Sequence, residues 1–289
     1  MPNDNSSDRQ KVLVTAEELA ARIDGAEQQI ILDIRFNLQT PDGRPHYREG
    51  HIPGAVYADL PTELAGVQKG FSGRRPLPEI ADLQRDARRW GINEGDTVIV
   101  YDDNFGQQAA RAWWVLRWAG ITDVRLLDGG LAAWKALGRS LSTEVPLPDY
   151  GNVSLSAGNL PVLSADDAQD FARSRILLDA RDAKSYAGAA SSNGRLTEGH
   201  IPGAFSAPTS QNLDEAGRFK SADVLRERFE KLGIKGSEEV GVYCGGGVSA
   251  THEIISLASI GIPAALFPGS WSAWSSDPSR PVATGTERG

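Results

Sequence analysis

The sequence predicts an α/β protein built from two successive copies of one domain, each a mainly parallel sheet with helices on both faces. Three observations carry this. Short apolar runs such as Ile30–Ile34 and Thr97–Tyr101 lack polar alternation, as strands buried on both faces do. They alternate with longer helical patterns, Ala109–Ala119 and Ser249–Ile260 among them, which implies a covered parallel sheet. Four segments also recur in the same order. QIILDIRF from Gln29 returns as RILLDAR from Arg175, and REGHIPGAVYADL from Arg48 as TEGHIPGAFSAP from Thr197. DTVIVYDDNFG from Asp96 matches EVGVYCGGG from Glu239, and VRLLDGGLAAW, ending at Trp134, matches AALFPGSWSAW, ending at Trp274. A solenoid would repeat every ~20–50 residues, so this is a tandem domain duplication.

Each element follows from its residues. Helices are expected over Ala16–Ile23 and Ala165–Arg173, with Thr15 and Ser164 as N-caps and Glu18 and Asp167 completing capping boxes. The segment SLSTEVPLPDYGNVSLSAGNLP is rich in Ser, Pro and Gly and reads as a linker. The expected division is a domain over 11–139, a linker over 140–161 and a second domain over 162–286.

Composition narrows the function. The 289 residues carry 30 basic and 38 acidic side chains, a net charge of -8, which argues against a nucleic-acid surface. No apolar run reaches the ~18 residues of a membrane span, and the N-terminus has no signal-peptide h-region, so the expected compartment is the cytoplasm. The single cysteine, Cys244, excludes an internal disulfide and a C-x-x-C zinc site. No metal or cofactor is expected.

That cysteine sits at the carboxyl end of a strand, where α/β proteins build their sites. Gly245, Gly246, Gly247 and Val248 follow, and a helix begins near Ser249. Glycines permit positive φ and close backbone approach, and such a loop can turn N–H groups inward as an anion nest. A helix start adds its unpaired N–H groups. Both favour a sulfur anion. In the first copy the same slot holds Asp102 and lacks the glycine cluster, so one copy is expected to be active and the other not.

These residues resemble the tandem rhodanese family of sulfurtransferases. The resemblance runs from about Val12 to Val282: two GHIPGA segments, two D-x-R strand ends at Asp33–Arg35 and Asp179–Arg181, the Cys-Gly-x-Gly-Val-Ser loop, and DGGLAAW with PGSWSAW. It implies two rhodanese-like domains and transfer of a sulfane sulfur through a persulfide on Cys244, from thiosulfate or 3-mercaptopyruvate to cyanide or an external thiol. A thioredoxin-like reductant is one such acceptor. The implied substrate-binding residues are Gly245, Gly246, Gly247, Val248, Ser249, Arg181 and Arg195. Members acting on thiosulfate resemble Cys-Arg-Lys-Gly-Val-Thr, whose cations suit a doubly charged donor; Gly245 and Gly246 stand there instead. The loop is nearer the mercaptopyruvate pattern, Cys-Gly-Ser/Thr-Gly-Val-Thr, but Gly246 lacks its hydroxyl. Ser185 stands where the family commonly has an arginine, with Lys184 or Arg195 to replace it.

Several residues admit two readings. Arg181 orients the loop or binds substrate, or else forms a buried ion pair; Arg35 is expected to be structural. His200 is expected to be a turn residue, and His51 either the same or a residue reaching the thiol. His252 is expected on an exposed or domain-facing side, and Asp102 as a loop hydrogen-bonder. Trp271 lines the pocket mouth or belongs with the other tryptophans in the core. A phosphatase needs arginine six residues after the cysteine, and Ala250 stands there. The alternative function is a sulfur-carrier or redox-sensing module.

Overall fold

The computed structural model describes residues 5–36, 41–188 and 198–289. The chain forms two compact units. The first comprises Met1–Gly66, Leu77–Leu160 and Glu215–Phe219, and the second Val67–Pro76, Pro161–Asp214 and Lys220–Gly289.

In the first unit, β1 (Leu13–Val14), β2 (Ile30–Asp33), β3 (Val56–Tyr57), β4 (Val98–Tyr101) and β5 (Val124–Leu127) pair in parallel in the order β1-β5-β4-β2-β3. Parallel neighbours need crossover connections, and helices supply them. Val98, Ile99, Val100 and Tyr101 are all fully buried. Successive strand residues point to opposite faces, so both faces of the sheet are covered. On one of them Ile31, Ile99 and Tyr101 pack with Leu19 and Trp134.

In the second unit, β6 (Ile176–Asp179), β7 (Phe205–Ser206), β8 (Val240–Tyr243) and β9 (Ala265–Leu266) pair in parallel in the order β7-β6-β8-β9. The slot of β1 is reduced to one parallel bridge, Val162 to Leu266. Helices Ala16–Asp24 and Ala165–Ser174 carry the expected capping boxes: Thr15 and Ser164 accept from the N–H of Glu18 and Asp167, whose carboxylates accept in return. Two further helices follow β4 and β8, over Gln107–Trp118 and Ser249–Ala258. Segment 140–160 holds no helix and is tied to the first unit, for example by Gly151 N–H to Arg88 O (2.7 Å) and Ser156 N–H to Ala119 O (3.0 Å).

The recurring D-x-R and GHIPGA segments are one structural device. Arg35 donates to both oxygens of Asp33 and to the carbonyl of Gly50, and Arg181 likewise to Asp179 and the carbonyl of Gly199. Tyr101 Oη accepts from the N–H of Ile52 and Tyr243 Oη from that of Ile201, both at 3.1 Å. The histidines then stack on tyrosines, His51 on Tyr47 and His200 on Tyr186, with centroids 4.0 and 3.8 Å apart. The closing tryptophans finish each unit: Trp134 Nε1 donates to Ser140 O and Trp274 Nε1 to Pro281 O.

Candidate active site

β8 ends at Tyr243 and helix Ser249–Ala258 begins five residues after Cys244, so the thiol stands between a strand terminus and a helix start. Cys244 is 2% exposed. The N–H of Gly247 points at Sγ over 3.2 Å. The loop is pinned from the far side: Trp271 N–H donates to Cys244 O (2.8 Å), Ser272 N–H to Gly245 O (3.0 Å), and Cys244 N–H to Ser270 Oγ (3.1 Å).

Of the three glycines only Gly247 takes a left-handed φ, at 80°. Gly245 and Gly246 serve close approach instead. A Cβ at Gly245 would stand 3.2 Å from Arg74 Nη2, and one at Gly246 3.5 Å from Arg74 Nε. Sequence reasoning missed Arg74 and Arg75 because they stand in the first copy by position, in a loop between helices Leu60–Glu63 and Ile80–Arg89, yet belong to the second unit. The available signal was the basic pair in the glycine-containing stretch FSGRRPLP of an acidic chain. Burial and the neighbouring Arg74 charge push the Arg75 guanidinium below its ordinary value, while Cys244 pulls it the other way.

Ser270 was also missed. It holds a left-handed φ of 53°, unusual for serine, at the slot where the first copy has Gly130 with φ 54°. Its Oγ lies 4.0 Å from Sγ and donates to Phe267 O at 2.9 Å.

The other sequence-predicted residues fall as follows. Arg181 is the ion-paired residue of its two readings. Burial works against its charge, and the Asp179 pair more than offsets this, so its guanidinium is held more firmly protonated than usual. It stacks 4.7 Å above the Trp271 ring, and Trp271 is itself buried. Val248 precedes the helix and Ser249 opens it, half-buried. Arg195 lies outside the described residues. Asp182 N-caps helix Ala183–Ala187, its carboxylate accepting from the Ser185 N–H and hydroxyl, and Lys184 is exposed. His252 is fully buried in the first turns of its helix, which rules out the exposed side of the two expected for it. His51 is a turn residue, with Nδ1 against Tyr47 O (2.8 Å) and Nε2 against Glu144 O (3.0 Å), so both ring nitrogens are engaged by main-chain carbonyls of its own unit. Asp102 bonds its loop as expected, accepting from the N–H groups of Asn104, Gly106, Gln108 and Ala109 at 2.8–2.9 Å. Burial pushes its carboxyl up and those four bonds oppose the shift. The first-copy loop is thus an anion nest filled by its own carboxylate.

The Gly247 contact makes a direct prediction. Gly247→Ala puts an L-residue at φ 80° and displaces the N–H that meets the sulfur. The expected result is a loss of about 1–3 kcal/mol of stability and a fall of about tenfold or more in kcat for sulfur transfer. Urea denaturation and steady-state thiocyanate assays check the two parts.

A family model described as rhodanese-like domain matches residues 15–137 and again 163–277. A Mycobacterium tuberculosis protein named "Putative thiosulfate sulfurtransferase SseB" is 45% identical over 283 residues, covering 96% of this chain and 99% of that protein. A Pseudomonas aeruginosa protein named "Probable 3-mercaptopyruvate sulfurtransferase" is 42% identical over 288 residues, covering 94% and 98%. Among solved structures, the 3-mercaptopyruvate sulfurtransferase SseA of Escherichia coli superposes with a TM-score of 0.78 at 30% identity, covering 90% of this chain and 98% of that one. Both copies of the fold and almost the whole chain take part in these matches, and the chain belongs to the rhodanese-like domain family in its two-domain form.

Proposed function

We propose that the protein is a sulfurtransferase that carries a sulfane sulfur on Cys244, taking it from thiosulfate or 3-mercaptopyruvate and passing it to cyanide or an external thiol. The observation that carries this reading is a lone thiol at a strand end with the Gly247 N–H aimed at its sulfur. In the first half-reaction the Cys244 thiolate attacks the outer sulfur of the donor. The new Cys244 S–S bond forms as the donor's bond to that sulfur breaks, and the electron pair leaves with the donor remnant. In the second, the acceptor attacks the terminal sulfur and the thiolate is regenerated. The Gly247 N–H stabilises negative charge at this point in both halves. Cys244 is the chain's one cysteine, so the acceptor comes from outside, a thioredoxin-like reductant being one fitting class.

The test is turnover. With donor and cyanide in excess, thiocyanate accumulates to many equivalents per protein with ping-pong kinetics. A single stoichiometric burst that then stops contradicts the enzyme and marks a sulfur carrier. No helix among the described residues is long and apolar enough to cross a membrane.

A further inference from the structure

Segment Val67–Pro76 brings two cations to the cysteine loop that none of the recurring motifs contains. Arg74 is anchored through its main chain: its N–H donates to Ser272 Oγ at 3.0 Å, and Ser272 N–H in turn donates to Gly245 O. Gly73 lies directly on Gly269, where a Cβ would come within 2.4 Å of the Gly269 carbonyl oxygen. The Arg74 side chain then runs along the loop. Its Nε and Nη2 atoms fall within 3.2–3.7 Å of where Cβ atoms at Gly245 and Gly246 would stand. The bare loop and the arginine are therefore complementary, because side chains at 245 and 246 would compete with Arg74 for this space.

Arg75 follows directly, half-buried. Burial and the adjacent Arg74 charge work against the charge on Arg75, and the nearness of Cys244 favours it. Two like charges held together at a nucleophile are best relieved by a ligand bearing two negative charges.

We infer that Arg74 and Arg75 form the donor subsite and bind the sulfonate end of thiosulfate, with its sulfane sulfur toward Cys244. This rests on the sulfur-transfer reading. The chemistry agrees with the side chains present. The Cys244 thiolate attacks the sulfane sulfur of thiosulfate, the S–S bond of the donor breaks, and its electron pair leaves with sulfite. Three negative charges enter and three remain, and no proton moves. Transfer from 3-mercaptopyruvate must instead carry the thiol proton to the carbon that becomes the methyl of pyruvate. Position 246 has no hydroxyl for that task, and Ser270 Oγ commits its proton to Phe267 O. Sulfite, still a dianion in large part near neutrality, is the product that this subsite releases, so a reaction that consumes sulfite is the fitting next step.

The test compares thiosulfate with benzenethiosulfonate, which has the same sulfonyl leaving chemistry and one charge fewer. Arg74→Ala, Arg74→Lys and Arg74→Ala/Arg75→Ala are assayed with cyanide as acceptor. The expected result is a fall of about ten- to hundredfold in kcat/KM for thiosulfate in Arg74→Ala. The loss is carried mainly by KM, is partly restored in Arg74→Lys, and is deeper in the double variant. The loss for benzenethiosulfonate is smaller by at least about threefold. Equal losses for the two donors, or no loss for either, overturn the subsite. A parent protein that takes sulfur from 3-mercaptopyruvate but not from thiosulfate also overturns it, while sulfur transfer stands. A parent protein whose Cys244 gains sulfur from none of the three donors overturns the sulfur-transfer reading itself.

Discussion

Replacing Cys244 with serine abolishes sulfur transfer and leaves the fold intact. Serine fits the same space, and its Oγ can accept the Gly247 N–H that Sγ accepts at 3.2 Å. The main-chain bonds that hold the loop, Trp271 N–H to Cys244 O and Ser272 N–H to Gly245 O, do not involve the side chain. Stability is expected to change by less than about 1 kcal/mol. The hydroxyl is a far weaker nucleophile and leaving group than a thiolate, so thiocyanate formation falls by on the order of 10³-fold or more. A serine variant that makes thiocyanate at the parent rate removes Cys244 from the mechanism.

The second large effect concerns the scaffold. Asp179→Ala strips Arg181 of both carboxylate oxygens while its side chain remains only 9% exposed. Asp33→Ala does the same to Arg35, at 6% exposure. Removing one partner of a buried pair leaves an uncompensated charge, so each change costs about 3–5 kcal/mol, read as a lowered urea midpoint. The two variants differ in activity. Asp33 lies in the unit that lacks the thiol, so Asp33→Ala keeps its rate per folded molecule. Asp179→Ala releases an arginine that stacks on Trp271, whose N–H holds the Cys244 carbonyl, and its rate falls. A cost below about 1 kcal/mol in both variants contradicts the view that D-x-R and GHIPGA form a buried clamp.

Local chemistry was legible in the sequence wherever it was local. The capping boxes at Thr15 and Ser164, the fully buried run Val98–Tyr101 and the placement of Cys244 after β8 all follow from neighbouring residues, and the structure has them. Duplication helped as well, because GHIPGA occurs with and without a thiol and so had to be architectural; His51 stacked on Tyr47 and His200 on Tyr186 is that architecture. What stayed hidden depends on chain path. Nothing near Arg74 in sequence announces that segment Val67–Pro76 belongs with the second unit. Ser270 was hidden for a related reason: its left-handed backbone and its bond with the Cys244 N–H arise only when two distant loops meet. The burial of His252 follows from the packing of its helix, which periodicity around one residue does not determine.

The most direct measurement is the intact mass of the protein after brief exposure to thiosulfate without acceptor, followed by peptide mapping. The account predicts a gain of about 32 Da, one sulfur atom, on the Cys244 peptide, discharged when cyanide is added. A mass that never changes, or a sulfur that cyanide does not remove, contradicts it.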